Sequence, residues 1–276
     1  MARLVAQEFS QRWEQTAFVE NHAGATGMIA GRLVAQAAAD GYTILVSSNS
    51  VFAAAALDEQ LAGYDPLRAF APVGRVARGA YVLAVHPGFG ATVQKFVARA
   101  RAQPDSVSVA TAGVGGNSAR ALILLQQVAG IRLIDVPYNG GGYDIEAVIA
   151  GHVDATFVDL GVALPFAASG EIRVLAACSP NRLALAPELP TFAESGFPGV
   201  VTAAWYGVAA PAGTPAAIIA ELVATLHSTI ADSNVRKRLA AMGCDPISET
   251  PEEFAAAIRV EVEEARAFAQ VAVRHP

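Results

Sequence analysis

From Tyr81 onward the sequence keeps switching between two periodicities, and that switching limits the fold more than any other feature. "YVLAVHP", "VSVATA", "LIDVPY", "DATFVD" and "IRVLAAC" are short runs, apolar at almost every position, and helical stretches separate them. A strand that is apolar on both sides must be covered on both sides, and a parallel neighbour can be reached only by a long crossover. Strand and helix in alternation therefore predict an α/β fold with parallel-rich sheets flanked by helices. Thr92 is expected to cap one of these helices, which runs to about Gln103 with Val93, Phe96, Val97 and Ala100 facing inward. Others are expected over Ser118 to Ala129, from about Tyr143, and near Val162.

The two ends read differently. "MARLVAQEFSQRWEQ" sets Leu4, Val5, Phe9 and Trp13 along one side of a helix. It lacks the basic start, continuous apolar stretch and small-residue cleavage site of a secretory signal. "AFVE" then reads as a short strand, Met28 to Ala39 as a helix, and "YTILVSS" as a buried strand. The tail carries three helices, "PAAIIAELVATLHSTIA", "SNVRKRLAAMG" and "PEEFAAAIRVEVEEARAFAQVAV", each opened by a proline or a polar cap.

Composition removes several classes of function. A net charge of −6 with scattered Lys and Arg leaves no basic stripe for a nucleic acid. No apolar run is long enough for a membrane span. Cys178 and Cys244 lie far apart and form neither a disulfide framework nor a metal site, so both read as buried small hydrophobes. The length allows one large domain or two ordinary ones.

Glycines cluster in one setting. "ENHAGATG", "ATAGVGGNS" and "PYNGGGYD" each follow an expected strand and precede an expected helix. In parallel α/β sheets ligands sit at that end, where helix N-termini also attract anions. Turn geometry alone would explain one such loop; three favour a shared binding cleft. Asp159 follows a strand as well, and its two readings are a cap for the next helix and a ligand contact.

Catalytic patterns are missing. His22, His86, His152, His227 and His275 are dispersed, with no ligand spacing. There is no Walker A lysine, "GVGGNS" lacks the third glycine of a dinucleotide fingerprint, and "AESGF" around Ser195 lacks the first glycine of a nucleophile elbow. No metal or cofactor is expected. A site of backbone amides without a nucleophile suits binding better than turnover.

Several segments, taken in order, carry a family likeness: "VENHAGATG", "ADGYTILVSSNS", "YDPLRAFAPVGRVAR", "ATAGVGGNS", "VPYNGGGYD", "GHVDATFVD", "LPTFAESGFPG" and "AWYGVAAPAGTP". They resemble the substrate-binding proteins of tripartite tricarboxylate transporters, the TctC/Bug family. The resemblance implies a two-lobed periplasmic binding protein fold of type II (Venus flytrap). One lobe would combine 1–79 with 203–276 and the other would hold 80–202, the chain crossing near Tyr81 and Trp205. It also implies a periplasmic solute-binding protein, not an enzyme, that captures a small organic carboxylate for membrane transporter subunits. Two alternatives stand beside it: a cofactor-independent α/β enzyme acting on a carboxylate, and a ligand-responsive partner of a sensor protein.

The expected cleft is lined by Gly24, Ala25 and Thr26 from one lobe and by Thr111, Gly113, Ser118, Tyr138, Gly140, Gly141 and Asp159 from the other. The glycines would offer N–H groups to the carboxylate, Thr111 and Ser118 their hydroxyls. The sequence departs from the family at Asn139 (a lysine there), Tyr143 (proline), Ala119 (histidine) and Leu160 (asparagine). Tyr143 and Asp144 are expected to narrow or recharge the pocket. The family pattern also places a strand and a Pro-Gly-Gly loop ahead of the helix that here starts near Ala2. Without them the expectation is an exposed sheet edge, a marginally soluble or dimeric chain, and weak carboxylate binding; with Met1 as the true start, it would stay in the cytoplasm.

Overall fold

The computed structural model describes residues 1–138 and 142–272. Contacts divide the chain into two compact units. The first holds Met1–Arg78, Trp205–Ala240 and Asp245–Pro276; the second holds Gly79–Ala204 and Ala241–Cys244.

The first unit opens with α1 (Ala2–Trp13), which buries Leu4, Val5 and Phe9 as its periodicity requires. α2 (Met28–Ala35), β1 (Leu45–Ser48), α3 (Ser50–Leu57) and α4 (Glu59–Ala62) follow, then β2 (Phe70–Val85). "AFVE" is not a strand: residues 16–24 carry no regular structure. A strand needs a ladder partner, and here the Ser10 hydroxyl serves instead, accepting from the Ala17 N–H at 2.8 Å. α2 also stops at Ala35, four residues before its expected end.

β2 spans both units, continuing through Arg78 into Gly79. The chain then forms α5 (Val93–Ala102), β3 (Ser108–Thr111), α6 (Asn117–Ala129), β4 (Ile134–Pro137) and α7 (Tyr143–Ile149). β5 (Ala155–Asp159), α8 (Leu160–Ala168), β6 (Arg173–Ala177) and β7 (Ala203–Pro211) come next, and α9 (Ala216–Ala231), α10 (Ser233–Ala241), β8 (Cys244–Pro246) and α11 (Pro251–Ala272) complete the chain.

In the second unit β3 runs parallel to β4 and β5, while β2 lies antiparallel between β5 and β6. The sheet is therefore mixed, with one strand running against four. Side chains alternate across it as strand geometry demands. Leu83, Val85, Val109 and Phe157 join Phe96, Val97, Leu122 and Leu125 on one face. Val82, Ala84, Ala110 and Val158 join Ile145, Val148 and Leu160 on the other. Cys178 is free and buried, and burial pushes its thiol far above the ordinary range.

In the first unit β7 lies between β1 and β2, antiparallel to β1 with Leu45 opposite Ala209 and Ser48 opposite Tyr206. Its core is aromatic: Phe52 meets Phe70 at 5.7 Å and Trp205 at 5.5 Å between ring centroids, and Trp205 meets Phe254 at 5.2 Å. Among the described residues no helix is long and apolar enough to cross a membrane.

Candidate functional site

Because β3, β4, β5 and β6 run the same way, their C-terminal ends share one edge of the second unit's sheet, and α6, α7 and α8 begin just beyond it. Thr111 ends β3 and is fully buried. Its hydroxyl donates to Asp135 Oδ1 at 2.6 Å and accepts from the Gly113 N–H at 3.2 Å. Its carbonyl accepts from the Tyr138 N–H at 2.7 Å, tying the exit of β4 to the exit of β3. The buried Ser118 hydroxyl accepts from the Ala112 N–H at 2.8 Å, and Gly116 N–H bonds to Gly113 O at 3.0 Å. Both hydroxyls assigned to a ligand thus have partners within the chain and hold the 112–116 loop in shape.

Gly113 and Tyr138 are half-buried at this edge. Gly140 and Gly141, with Asn139, lie outside the described residues. Asp159 occupies the N-cap position of α8, yet its side chain makes no capping hydrogen bond, so the capping role is not realised. Leu160 and Ala119, where the family pattern has asparagine and histidine, are both buried apolar residues.

Tyr81, which the sequence reading used only to mark a crossing, is the hub of this edge. It stands opposite Asp159 in the β2–β5 register. Burial first, then the charges of Asp159 and Asp144, push its phenol well above the ordinary range; a hydrogen bond from Asn117, at the start of α6, acts in the opposite sense. Its only signal in sequence was an aromatic residue heading a buried strand.

Asp144 does not recharge an open pocket. It is 7% exposed, its carboxylate accepts from the Ile145 N–H at 3.0 Å, and the Thr156 hydroxyl lies 3.5 Å away. Burial raises its carboxyl above the ordinary value. A carboxyl raised by folding favours the folded state while it is protonated, and that contribution fades as pH climbs from the unfolded value through the raised one. Asp144→Asn should therefore raise the melting temperature at pH 7, by about 2 °C or more, and change it little at pH 4. Calorimetric scans at both pH values check this; an equal shift at both would show that ionisation of Asp144 is not the cause.

Gly24, Ala25 and Thr26 lie in the first unit. Four successive residues here have positive φ: Gly24 at 117°, Ala25 at 47°, Thr26 at 56° and Gly27 at 89°. Glycine adopts this region freely, whereas alanine and β-branched threonine are held there at a cost of about 1–2 kcal/mol each. Gly27 N–H closes the turn onto Gly24 O at 2.9 Å, and α2 starts at Met28. Strain of this kind gathers at functional sites. No group of three or more His, Cys, Asp or Glu side chains among the described residues is placed to hold a metal ion.

Two α/β units joined by repeated chain crossings make up the two-lobed periplasmic binding protein fold, the architecture of solved periplasmic binding proteins to which the chain is similar. The model of the tripartite tricarboxylate transporter family receptor (TctC) matches residues 1–271, and the chain belongs to that family. It is 31% identical over 265 residues to protein BugT of Bordetella pertussis, covering 95% of this chain and 81% of BugT. A Rhodopseudomonas palustris protein solved with adipate superposes with a TM-score of 0.93 at 30% identity, covering 98% of this chain and 90% of that one. MatC from Rhodopseudomonas palustris, solved with bound malate, gives 0.88 at 30% identity, covering 96% and 91%.

Proposed function

We propose that this chain is a periplasmic receptor that captures a small organic carboxylate and delivers it to the membrane subunits of a tripartite tricarboxylate-type transporter. The observation that carries the reading is the arrival of α6 and α8 at one strand-end edge of the second unit, with the 112–116 loop fastened around Thr111 and Ser118. Helix starts present unpaired N–H groups and the positive end of the helix dipole, which suits an anion even on an acidic protein. Relatives solved with malate and adipate support a carboxylate as that anion. In this reading Gly113, Gly140 and Gly141 offer backbone amides, Tyr138 and Asp159 border the ligand, Thr111 and Ser118 fix the loop, and the strained turn at Gly24 to Thr26 is a further candidate contact.

Titration calorimetry of the purified chain against a panel of mono- and dicarboxylates tests this. Saturable 1:1 binding is expected, with the bound compound recovered unaltered. Gly141→Val is expected to weaken binding at least about a hundredfold while the thermal melt stays intact, because a bulky side chain would crowd the loop assigned to the carboxylate. Parent-like affinity in that variant would overturn the loop assignment, and turnover of the ligand would favour an enzyme.

A further inference from the structure

α5 carries Lys95, Arg99 and Arg101 and no acid along its ten residues. Arg101 turns toward α6 and donates to the Ala129 carbonyl at 2.6 Å. The other two stay in water beside the 86–90 loop that precedes the helix, and the exposed Arg173 of β6 joins them. Arg173 donates to the Gly90 carbonyl at 3.0 Å, and the Arg99 guanidinium lies over the Phe89 ring at 4.2 Å. Lys95 stands next to Gly90, where an added Cβ would meet the Lys95 Cβ at 3.4 Å. Three cations thus surround one short loop. β2 ends at Val85, opposite Ala155 and Arg173, the residues that open β5 and β6. The loop therefore lies at the strand-start edge, the opposite edge of the sheet from the helix starts assigned to the carboxylate.

Two observations set this group apart from an ordinary solvated face. Arg68, Arg75, Arg132, Arg182, Arg238 and Arg266 each pair with a carboxylate, whereas among the described residues Lys95, Arg99 and Arg173 do not. Nearby acids are used elsewhere. Glu171 accepts from the Ser169 hydroxyl at 2.5 Å, and Asp154 from the Ser108 N–H and hydroxyl at 2.8 and 2.9 Å. Lys95, moreover, stands where a helix favours an acid. Thr92 caps α5 by accepting from the Lys95 N–H, so residue 95 is the third helical position, at the positive end of the helix dipole. The same chain fills that place with glutamate elsewhere: Thr250 with Glu253, and Thr191 with Glu194, close reciprocal pairs of hydrogen bonds. A lysine at 95 forgoes the second bond and opposes the dipole, so local stability does not explain it.

We infer that this face docks an acidic segment of a partner protein. Guanidinium groups pair with carboxylates in a two-pronged geometry that suits such a segment. A membrane surface is the poorer fit, because Phe89 is buried and no large apolar side chain between 86 and 102 stands in water to anchor in lipid.

A fluorescein-labelled hexaglutamate peptide tests the face by anisotropy with the purified chain. Binding is expected at about 50 mM salt and should weaken at least about tenfold by about 300 mM. Lys95→Glu should weaken it about tenfold yet raise the melting temperature by about 2 °C, because the reciprocal cap can then close. Arg99→Gln should cost about threefold, and Lys237→Glu, at an exposed lysine of α10, less than about twofold. Carboxylate affinity should be the same in all three variants. Absence of peptide binding overturns the inference, and so does an equal loss in Lys237→Glu and Lys95→Glu, which would reduce the effect to net charge. A Lys95→Glu protein that melts below the parent would make the lysine a helix-stabilising residue and overturn it too. Tighter binding of phosphatidylglycerol vesicles or inorganic phosphate than of the peptide would assign the face to phosphate groups instead. Each of these results leaves the carboxylate-receptor reading standing, since the calorimetric panel decides that separately.

Discussion

Gly161→Ala is expected to lower the melting temperature by about 6–12 °C, although alanine is the better helix former. Gly161 is the second residue of α8, and a Cβ built on it would fall on the carbonyl oxygen of Met242, with that residue's Cα only 3.0 Å away. The approach is reciprocal: a Cβ on Gly243 would lie 2.8 Å from the Gly161 nitrogen. Backbone meets backbone on both sides, so no rotamer change relieves the clash, and the cost is set at about 3 kcal/mol, the upper end for overpacking. Gly88→Ala is the control, since its Cβ would meet only the His86 ring at an ordinary 3.4 Å. Thermal melts by circular dichroism read both variants. A Gly161→Ala protein melting within about 2 °C of the parent would mean that the close approach does not exist.

The second large effect concerns a groove in the first unit. α1, residues 15–20, α2, residues 40–46 and α9 surround a space of about 1070 Å³, with Val5, Phe9, Trp13, Phe18, Leu33 and Val46 among its walls. β1 pairs with β7 through Leu45 to Ser48 on one side, and the groove runs along residues 43–46. Phe18 and Tyr42 stand in water there, 76% and 93% exposed. An extended apolar segment grafted ahead of Met1 from a relative should settle in this groove and bury on the order of 150 Å² of apolar surface, worth about 4 kcal/mol. The melting temperature would rise by about 10 °C, and carboxylate affinity would rise with it. Equal stability and affinity in the parent and grafted chains would show that the groove does not accept a strand.

Much of the second unit was legible in the sequence because its strands are covered on both faces and its helices on one. Thr92 caps α5 by accepting from the Lys95 N–H at 3.2 Å, and Val93, Phe96, Val97 and Ala100 are all buried. Elements whose environment breaks that contrast were lost. α3 buries every residue from Ser50 to Ala56, so it shows no amphipathic period to find. The first half of β2, "FAPVGRVARG", looks like a loop, with its proline, glycines and arginines. It is held as a strand by pairing with β7 and β8, and by Arg75, whose guanidinium grips the buried Glu249 carboxylate through contacts of 2.7 and 2.5 Å. "AFVE" erred in the other direction, since apolar residues make a strand only beside a partner. Among residues near the strand ends, the glycine-rich loops stood out in the sequence. Tyr81 did not, because its role depends on the antiparallel register that sets it opposite Asp159, which spacing along the chain does not encode.

The division of the chain also sets an order in time. Residues 79–204, one continuous stretch, build nearly all of the second unit, while the first is assembled from pieces on either side. Its core includes Trp205, Phe254, Ile258 and Val262, so α3 and Phe52 have nothing complete to pack against until the last helix has been made. During synthesis the middle of the protein can therefore fold while its beginning waits for its end, a delay of more than two hundred residues for Phe52. A nascent chain stalled near residue 240 would carry a protease-resistant second unit and a first unit still open to cleavage.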